Sequence, residues 1–155
     1  MYTTKVTQRD RDEISHVISE SELKHIISHY MTPPPIVTKE QLKPISETTI
    51  YLYQRDGPNT VGHWTCVIYR GSDEAEYFDS YGQNFGLSDV RPYISTGRRL
   101  QRSSVPLQRL SPAVQDCGAW VADRLKHVDK SYDQYVAMVK AAGPNHDIFV
   151  VRDIY

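Results

Sequence analysis

The chain has 155 residues, of which 39% are hydrophobic and 24% are charged, and its formal net charge is −1. A chain of this size can bury one hydrophobic core without a disulfide or a metal, which predicts a single domain over residues 1–155. The near-neutral charge argues against nucleic acid as a partner, and the short apolar runs argue against a membrane-spanning protein.

The first thirty residues are predicted to be helical. Apolar residues recur at helical spacing over about residues 10–30, as one interrupted helix or two short ones. The run from Ser19 to Glu22 is typical of a capping box between two such helices. Three prolines at 33–35 end any helix, and an irregular connection is expected as far as Pro44.

The next part of the chain is predicted to form strands. Runs of β-branched and aromatic residues indicate strands over 48–53, 63–69 and 75–79. The sequence Gly71-Ser72-Asp73 is typical of a tight turn, so the last two strands should form an antiparallel hairpin. His63 at the start of one strand and Asp79 at the end of its partner would then lie at the same end of the sheet.

The remaining elements are less regular at first and then helical. A loop with a short helical turn is expected over 82–97, and a strand is predicted over 103–110. From Cys117 onward the apolar spacing predicts a helix, and Ser131 is expected to cap another that ends at a glycine–proline pair. The apolar segment 147–151 is expected to be buried.

Three short polar segments contain the candidate chemistry: Gly62-His63-Trp64, Tyr77-Phe78-Asp79-Ser80 and Gln115-Asp116-Cys117-Gly118. A thiol attacks a carbonyl as thiolate, so it needs a base, and the base needs a third group that fixes its tautomer. Cys117, His63 and Asp79 match these three roles. Cys117 lies where a helix is predicted to begin, and the free amides there stabilise negative charge. Gly118 allows a substrate carbonyl to approach the Cys117 amide, which would form half of an oxyanion hole.

The order of these residues also indicates a family. Papain-like enzymes place the cysteine first, whereas here the order is His, Asp, Cys. In this order and setting, about residues 48–128 resemble the adenovirus-protease and SUMO-protease cysteine peptidases. The resemblance implies an α+β cysteine-peptidase fold, with a mostly antiparallel central sheet flanked by helices and the nucleophile at a helix N-terminus. The catalytic core would span about residues 48–155, after the N-terminal helical segment.

The same resemblance assigns further roles. It selects His63 from the six histidines, and it gives Trp64 a place in a narrow slot for the residues before the cleaved bond. Such a slot favours glycine near the cleavage site, because glycine has no Cβ.

The second oxyanion donor departs from the family pattern. Relatives carry a glutamine six or seven residues before the nucleophile, where this chain has Ser111 and Leu110. Gln108 and Gln115 are the two candidates. Gln108 is preferred, on the hypothesis that a slightly longer loop brings its amide within reach of the oxyanion.

The predicted function is a thiol endopeptidase that hydrolyses polypeptides, in the processing of viral polyproteins or structural proteins. Two alternatives use the same triad: an isopeptidase that removes ubiquitin-like modifiers (SUMO, ubiquitin or NEDD8), and an effector-type acetyltransferase. No cofactor is expected, and the protein is expected to be a monomer.

The two cysteines and a cluster of three arginines allow further predictions. Cys66 is expected in the core, and its separation from Cys117, without paired histidines, does not suit zinc. Free thiols and the lack of a signal-peptide pattern predict a reducing intracellular compartment, the cytoplasm or nucleus, of a host cell if the protein is viral. Arg98, Arg99 and Arg102 are expected in a solvated loop, with recognition of an acidic substrate or nucleic acid as the alternative.

Overall fold

The computed structural model describes residues 5–54 and 62–155. These residues form an α+β fold with a five-stranded mixed sheet and helices packed against it. The strands are β1 Ile36–Val37, β2 Thr49–Tyr53, β3 His63–Arg70, β4 Glu74–Phe78 and β5 Arg99–Arg102. The α-helices are α1 Gln8–Ser15, α2 Glu20–Ile27, α3 Leu87–Val90, α4 Cys117–Lys126, α5 Tyr132–Ala141 and α6 His146–Ile154. Short 3-10 helices span Lys39–Gln41 and Arg91–Tyr93.

The sheet follows chain order from β1 to β5. Its centre, β2–β3–β4, is antiparallel, whereas the outer pairs β1–β2 and β4–β5 are parallel. The prediction of a mostly antiparallel sheet is therefore right for the centre only. Cys66 lies opposite Phe78 in the β3–β4 hairpin. His63, three residues before Cys66, and Asp79, one residue after Phe78, consequently emerge at the same end of the sheet, as predicted.

Each face of the sheet has its own hydrophobic core. The larger core joins α2, α4, α5 and α6 to one face, and fully buried Trp120 and Leu125 of α4 belong to it. Cys66 lies in the same core with no exposed surface, as predicted. The smaller core, on the opposite face, includes Tyr77 of β4 and Val90 of α3. Helix α4 therefore packs directly on the sheet, and this places its first residue beside the start of β3.

A buried ion pair fixes α4 against β4. Arg124 and Glu76 both have side chains almost completely removed from solvent, and their two hydrogen bonds are 2.8 and 2.9 Å long. Arg124 also donates to the main-chain oxygens of His127 and Lys130, and Arg70 donates to Glu76. A buried pair of charges is stable only when it is hydrogen-bonded in this way.

The predicted helix caps are confirmed. The N-terminal region forms two helices, and the hydroxyl of Ser19 accepts from the amide of Glu22 while the Glu22 carboxylate accepts from the amide of Ser19, both at 3.2 Å. Ser131 caps α5 in the same way through Gln134. The final apolar segment is buried in α6. Among the residues that the structure describes, no helix is long and apolar enough to cross a membrane.

Two segments differ from the predictions. The connection before Pro44 contains the short strand β1, which pairs with β2. The strand predicted over 103–110 is wrong, because the strand at this edge is β5 and the chain after it is irregular. The hydroxyl of Ser103 donates to the main-chain oxygen of Tyr77 and accepts from the amide of Asp79, so side-chain bonds replace the strand ladder there.

Two arginines of the basic cluster, Arg98 and Arg99, form contacts with other residues of the chain. The guanidinium of Arg98 lies 3.8 Å from the centre of the Tyr69 ring and donates to the main-chain oxygens of Gly71 and Glu74. Arg99 forms an exposed ion pair of 2.6 Å with Glu74. Arg99 and Arg102 are the first and last residues of β5, so the prediction of a loop is wrong for these two arginines.

Candidate active site

The three predicted triad residues meet at one end of the sheet. His63 is the first residue of β3, Asp79 directly follows β4, and Cys117 is the first residue of α4. The amide of Trp64 donates to the sulfur of Cys117 at 3.5 Å, which ties the start of α4 to the start of β3. A cleft of about 230 Å³ opens at this point. Its lining consists of Tyr53, Gly62, His63, Tyr81, Phe85, Gln108, Leu110, Gln115 and Cys117.

Asp79 orients the imidazole of His63. The Nε2 group of His63 donates to Oδ1 of Asp79 at 2.7 Å, and the Asp79 side chain is fully buried. The loop after Asp79 curls around the carboxylate, so that the amides of Tyr81, Gln83 and Phe85 donate to its two oxygens. Burial opposes the charge on Asp79, but the bonds to His63 and to these amides outweigh it and lower the pKa of the carboxyl. Asp79 is therefore an ionised, rigidly held acceptor.

His63 lies between Asp79 and Cys117. Because Nε2 is bonded to Asp79, the other ring nitrogen is the one available to the nearby Cys117 side chain. Burial disfavours the charged imidazolium, but the interactions with Asp79 and Cys117 prevail and raise the pKa of His63 to about 9. The arrangement thus favours an imidazolium beside the sulfur at neutral pH.

Two aromatic rings hold the imidazole in place. Tyr81 stacks on His63 with 4.8 Å between ring centres, and Phe85 meets it edge-on at 6.1 Å. Neither residue was predicted from the sequence to belong to the site. They follow Asp79 in a loop that contains glycine and asparagine. In such a loop, the sequence does not distinguish an aromatic residue that contacts the site from one that only packs against the core.

Gln108 is buried at the edge of the cleft. Its Oε1 accepts from the hydroxyl of Ser80 at 2.6 Å, and its Nε2 donates to the hydroxyl of Tyr81 at 3.1 Å. The amides of Leu107 and Gln108 both donate to the main-chain oxygen of Ser80, which fixes the backbone as well. An amide nitrogen carries two hydrogens, so one N–H of Gln108 is left for the cleft.

Gln115 also lines the cleft, but its side chain is held differently. Its Nε2 donates to the main-chain oxygen of Pro112 at 3.1 Å, and the side chain is only partly buried. Its backbone amide donates to Ile14 at 2.7 Å. The structure therefore brings both candidate glutamines to the cleft, and fixes the amide of Gln108 more firmly.

Trp64 and Gly118 lie behind the nucleophile, against the connection between α1 and α2. Trp64 is 5% exposed and its indole N–H donates to the main-chain oxygen of Ile18 at 3.0 Å. A Cβ on Gly118 would lie 3.0 Å from Cβ of Ile18 and 3.1 Å from the Trp64 ring. Neither is among the described residues that line the cleft. Their predicted contacts with substrate stay predictions. Close packing against Ile18 and Trp64 explains why residue 118 is a glycine.

A pair of buried carboxyl groups, Asp116 and Asp147, adjoins the nucleophile. Asp116 has no exposed surface, and no N–H or O–H of the described residues donates to its carboxyl oxygens. Its carboxyl instead faces that of Asp147, which accepts from the indole of Trp120 and from the amide of Arg109. Burial, together with the charge of Asp147, raises the pKa of Asp116 far above its ordinary value. A protonated Asp116 can then donate to Asp147.

The assembled groups have a definite chemical capacity. A thiol and an imidazole line one open cleft, and an ionised carboxylate holds the imidazole. Such a set can form and hydrolyse a thioester by nucleophilic attack and proton transfer. No protein-family model matches this chain, and no curated protein matches it.

Proposed function

We propose that this chain is a thiol endopeptidase of the adenovirus-protease and SUMO-protease type. The observation that supports it best is the position of His63, which is hydrogen-bonded to buried Asp79 and lines the same open cleft as Cys117. A core cysteine needs neither an oriented imidazole nor access to solvent, and Cys66 has neither.

The proposed reaction uses Cys117 and His63 in turn, while Asp79 holds the imidazole. The Cys117 thiolate attacks the carbonyl carbon of the substrate, and the imidazolium of His63 gives its proton to the leaving amine as the C–N bond breaks. His63 then takes a proton from water, whose oxygen attacks the thioester. The Cys117 sulfur leaves, the carboxylic acid product departs, and the starting pair is restored.

Two hydrogen-bond donors are available for the oxyanion. The amide of Cys117 heads α4, whose N-cap residue, Asp116, makes no side-chain bond to the first turn. Gln108 also lines the cleft, and its Nε2 group has one N–H beyond the one it donates to Tyr81. Donors fixed before the reaction stabilise the developing charge without reorganisation, and we therefore assign Gln108 as the second donor.

The shape of the surface favours an extended polypeptide as substrate. The cleft continues past Gln108 and Leu110 into a second depression of about 610 Å³, which also includes Tyr81 and the start of α6. Leu110 is 74% exposed between the two. An open groove with an exposed apolar side chain suits several residues of a chain more than one small enclosed molecule.

A covalent peptide reagent tests this proposal. Wild-type protein treated with a peptide vinyl sulfone should gain the mass of one reagent, located on Cys117. His63→Ala should slow this labelling strongly, because the imidazole no longer supports the thiolate. Cys66 serves as the internal control, since burial raises the pKa of its thiol and keeps it unreactive. Equal labelling of the two cysteines, or none on Cys117, would contradict the proposal.

A further inference from the structure

A group of side chains remote from the triad has the composition of a metal site. Asp123 and His127 belong to the last part of α4 and its C-cap, and Asp153 belongs to α6. We propose that Asp123, His127 and Asp153 bind one divalent transition-metal ion of the Zn²⁺ type. This inference is independent of the proposed peptidase activity.

The spacing of the three ligand atoms suits a single ion. One ligand atom from each residue can be chosen so that all three lie within 4.8 Å of one another. Nε2 of His127 is 2.8 Å from Oδ2 of Asp153 and 3.7 Å from Oδ1 of Asp123. Neighbouring ligands of a tetrahedral zinc ion, with bonds of about 2.0–2.1 Å, are separated by roughly 3.3 Å. The observed distances lie on either side of that value.

The fold explains why these atoms converge. Asp123 and His127 are four residues apart, so their side chains lie on the same face of α4. Helix α6 packs against α4 and brings Asp153 to that face. This arrangement was not predictable from the sequence, because the third ligand is 26 residues from the second.

The unsatisfied oxygen of Asp123 is the observation that points to a ligand. The side chain of Asp123 has no exposed surface. Its Oδ2 accepts from the hydroxyl of Tyr135 at 2.6 Å, but no N–H or O–H of the described residues bonds its buried Oδ1. That oxygen lies 3.7 Å from Nε2 of His127, and a carboxyl oxygen of Asp153 belongs to the same group of ligand atoms within 4.8 Å of one another. A buried carboxylate oxygen without a donor is costly, and a cation between the two carboxylates would satisfy it.

Further contacts hold the ligands in position. Tyr135 fixes the orientation of Asp123, and the ammonium group of Lys126 lies 3.4 Å from Oδ1 of Asp153, the oxygen not assigned to the ion. Partners of this kind orient metal ligands in known sites. The side chains of His127 and Asp153 are each 22% exposed, so an ion can enter and water can complete its coordination.

The ligand types indicate the class of metal. An imidazole nitrogen suits zinc and other transition metals, whereas Mg²⁺ and Ca²⁺ prefer sites made entirely of oxygen. One imidazole and two carboxylates therefore favour Zn²⁺ among the ions commonly available. Because the ligands come from α4 and α6, the bound ion would fasten the last helix to the helix that begins at Cys117.

Calorimetric titration with Zn²⁺ near neutral pH tests the site. The parent protein should carry Cys117→Ala, to remove the reactive thiol, together with His25→Gln and His29→Gln. His25 in α2 and His29, two residues after that helix, are both exposed with ring centres 5.0 Å apart, and could bind zinc themselves. We expect this parent to bind one Zn²⁺ and to unfold at a higher temperature when zinc is present.

Two variants of the parent should distinguish the ligands. His127→Gln and Asp153→Asn should each weaken Zn²⁺ binding by more than about tenfold, the least that the loss of even an outer partner usually causes. Both side chains are partly exposed, so near-UV circular dichroism should confirm that the variants fold. Asp129→Asn is the matched control, because this exposed carboxylate follows α4 outside the cluster and should leave the affinity unchanged.

Cobalt gives an independent reading of the ligand set. Co²⁺ bound to the parent should show visible absorption without a thiolate charge-transfer band, since nitrogen and oxygen ligate it. The proposal would be overturned if the parent fails to bind Zn²⁺, or if His127→Gln and Asp153→Asn bind it as tightly as the Asp129→Asn control.

Discussion

At the scale of single residues, the environment of His63 determines what the site can do. Its imidazole is stacked on Tyr81, bonded to a buried carboxylate and close to a thiol. The sequence predicted the carboxylate and the thiol from their types and order. It could not predict the ring contacts, because they depend on how the loop after Asp79 folds back over β3.

The raised pKa of His63 predicts an alkaline limit to activity. The imidazolium protonates the leaving amine in the proposed reaction, and the pKa of His63 is raised to about 9. The proton is present below this pH and is lost above it, so kcat/KM for a cleaved peptide should fall as the pH passes about 9. An activity that instead declines near pH 6.5, the ordinary range for histidine, would show that the imidazole is not stabilised as described.

The two glutamines should differ in their effect on turnover. Gln108→Ala removes an amide that Ser80 and Tyr81 hold at the cleft, and kcat should fall by roughly 100-fold or more with a smaller change in KM. Gln115→Ala is the matched control and should retain most of the activity. The reverse pattern, measured by steady-state kinetics on one peptide, would move the oxyanion donor to Gln115.

The Asp116–Asp147 pair predicts how stability depends on pH. Because the pKa of Asp116 is raised in the folded state, the folded protein binds a proton that the unfolded chain releases above about pH 4. This contribution lowers stability as the pH rises. Asp116→Asn keeps a neutral side chain and should lose less stability than the wild type between pH 5 and pH 8 in urea unfolding. Parallel pH dependences for the two proteins would argue against a protonated Asp116.

At the scale of elements, the sequence predicted well the features that depend only on residues close together in the chain. The cap at Ser19 was predicted because serine and an acidic residue three positions later bond reciprocally within one turn, and Ser131 proves to bond to Gln134 in the same way. The strand over 103–110 was wrong because its apolar residues suggested a ladder, whereas the main chain there bonds to Ser80. The conformation of segment 103–110 therefore depends on residues that are distant in the sequence, such as Ser80.

The ion pairs of β4 provide a matched test of what holds α4 in place. Arg124→Ala would leave Glu76 charged in the core and should lower the free energy of unfolding by about 3–5 kcal/mol. Arg99→Ala removes an exposed pair with Glu74 and should cost less than about 1 kcal/mol. Urea unfolding measures both values. Similar small losses would mean that hydrophobic packing alone positions α4.

At the scale of the whole molecule, the sheet brings together residues that are far apart in sequence. The order of the polar segments predicted that His63, Asp79 and Cys117 would meet, and the antiparallel hairpin and α4 explain how. The parallel edge pairs β1–β2 and β4–β5 were not predictable, because they join segments without a tight turn between them. The contacts of α6 with Asp116 and with α4 were missed for the same reason.

The central claim is that Cys117 is the nucleophile of a peptidase. It is tested most directly by incubating a diverse peptide library with the wild-type protein and with Cys117→Ala, and by identifying the products by mass spectrometry. Wild-type protein should generate new termini at a restricted set of sites, and Cys117→Ala, which keeps the fold, should generate none of them. Cleavage at the same sites by Cys117→Ala would contradict the account.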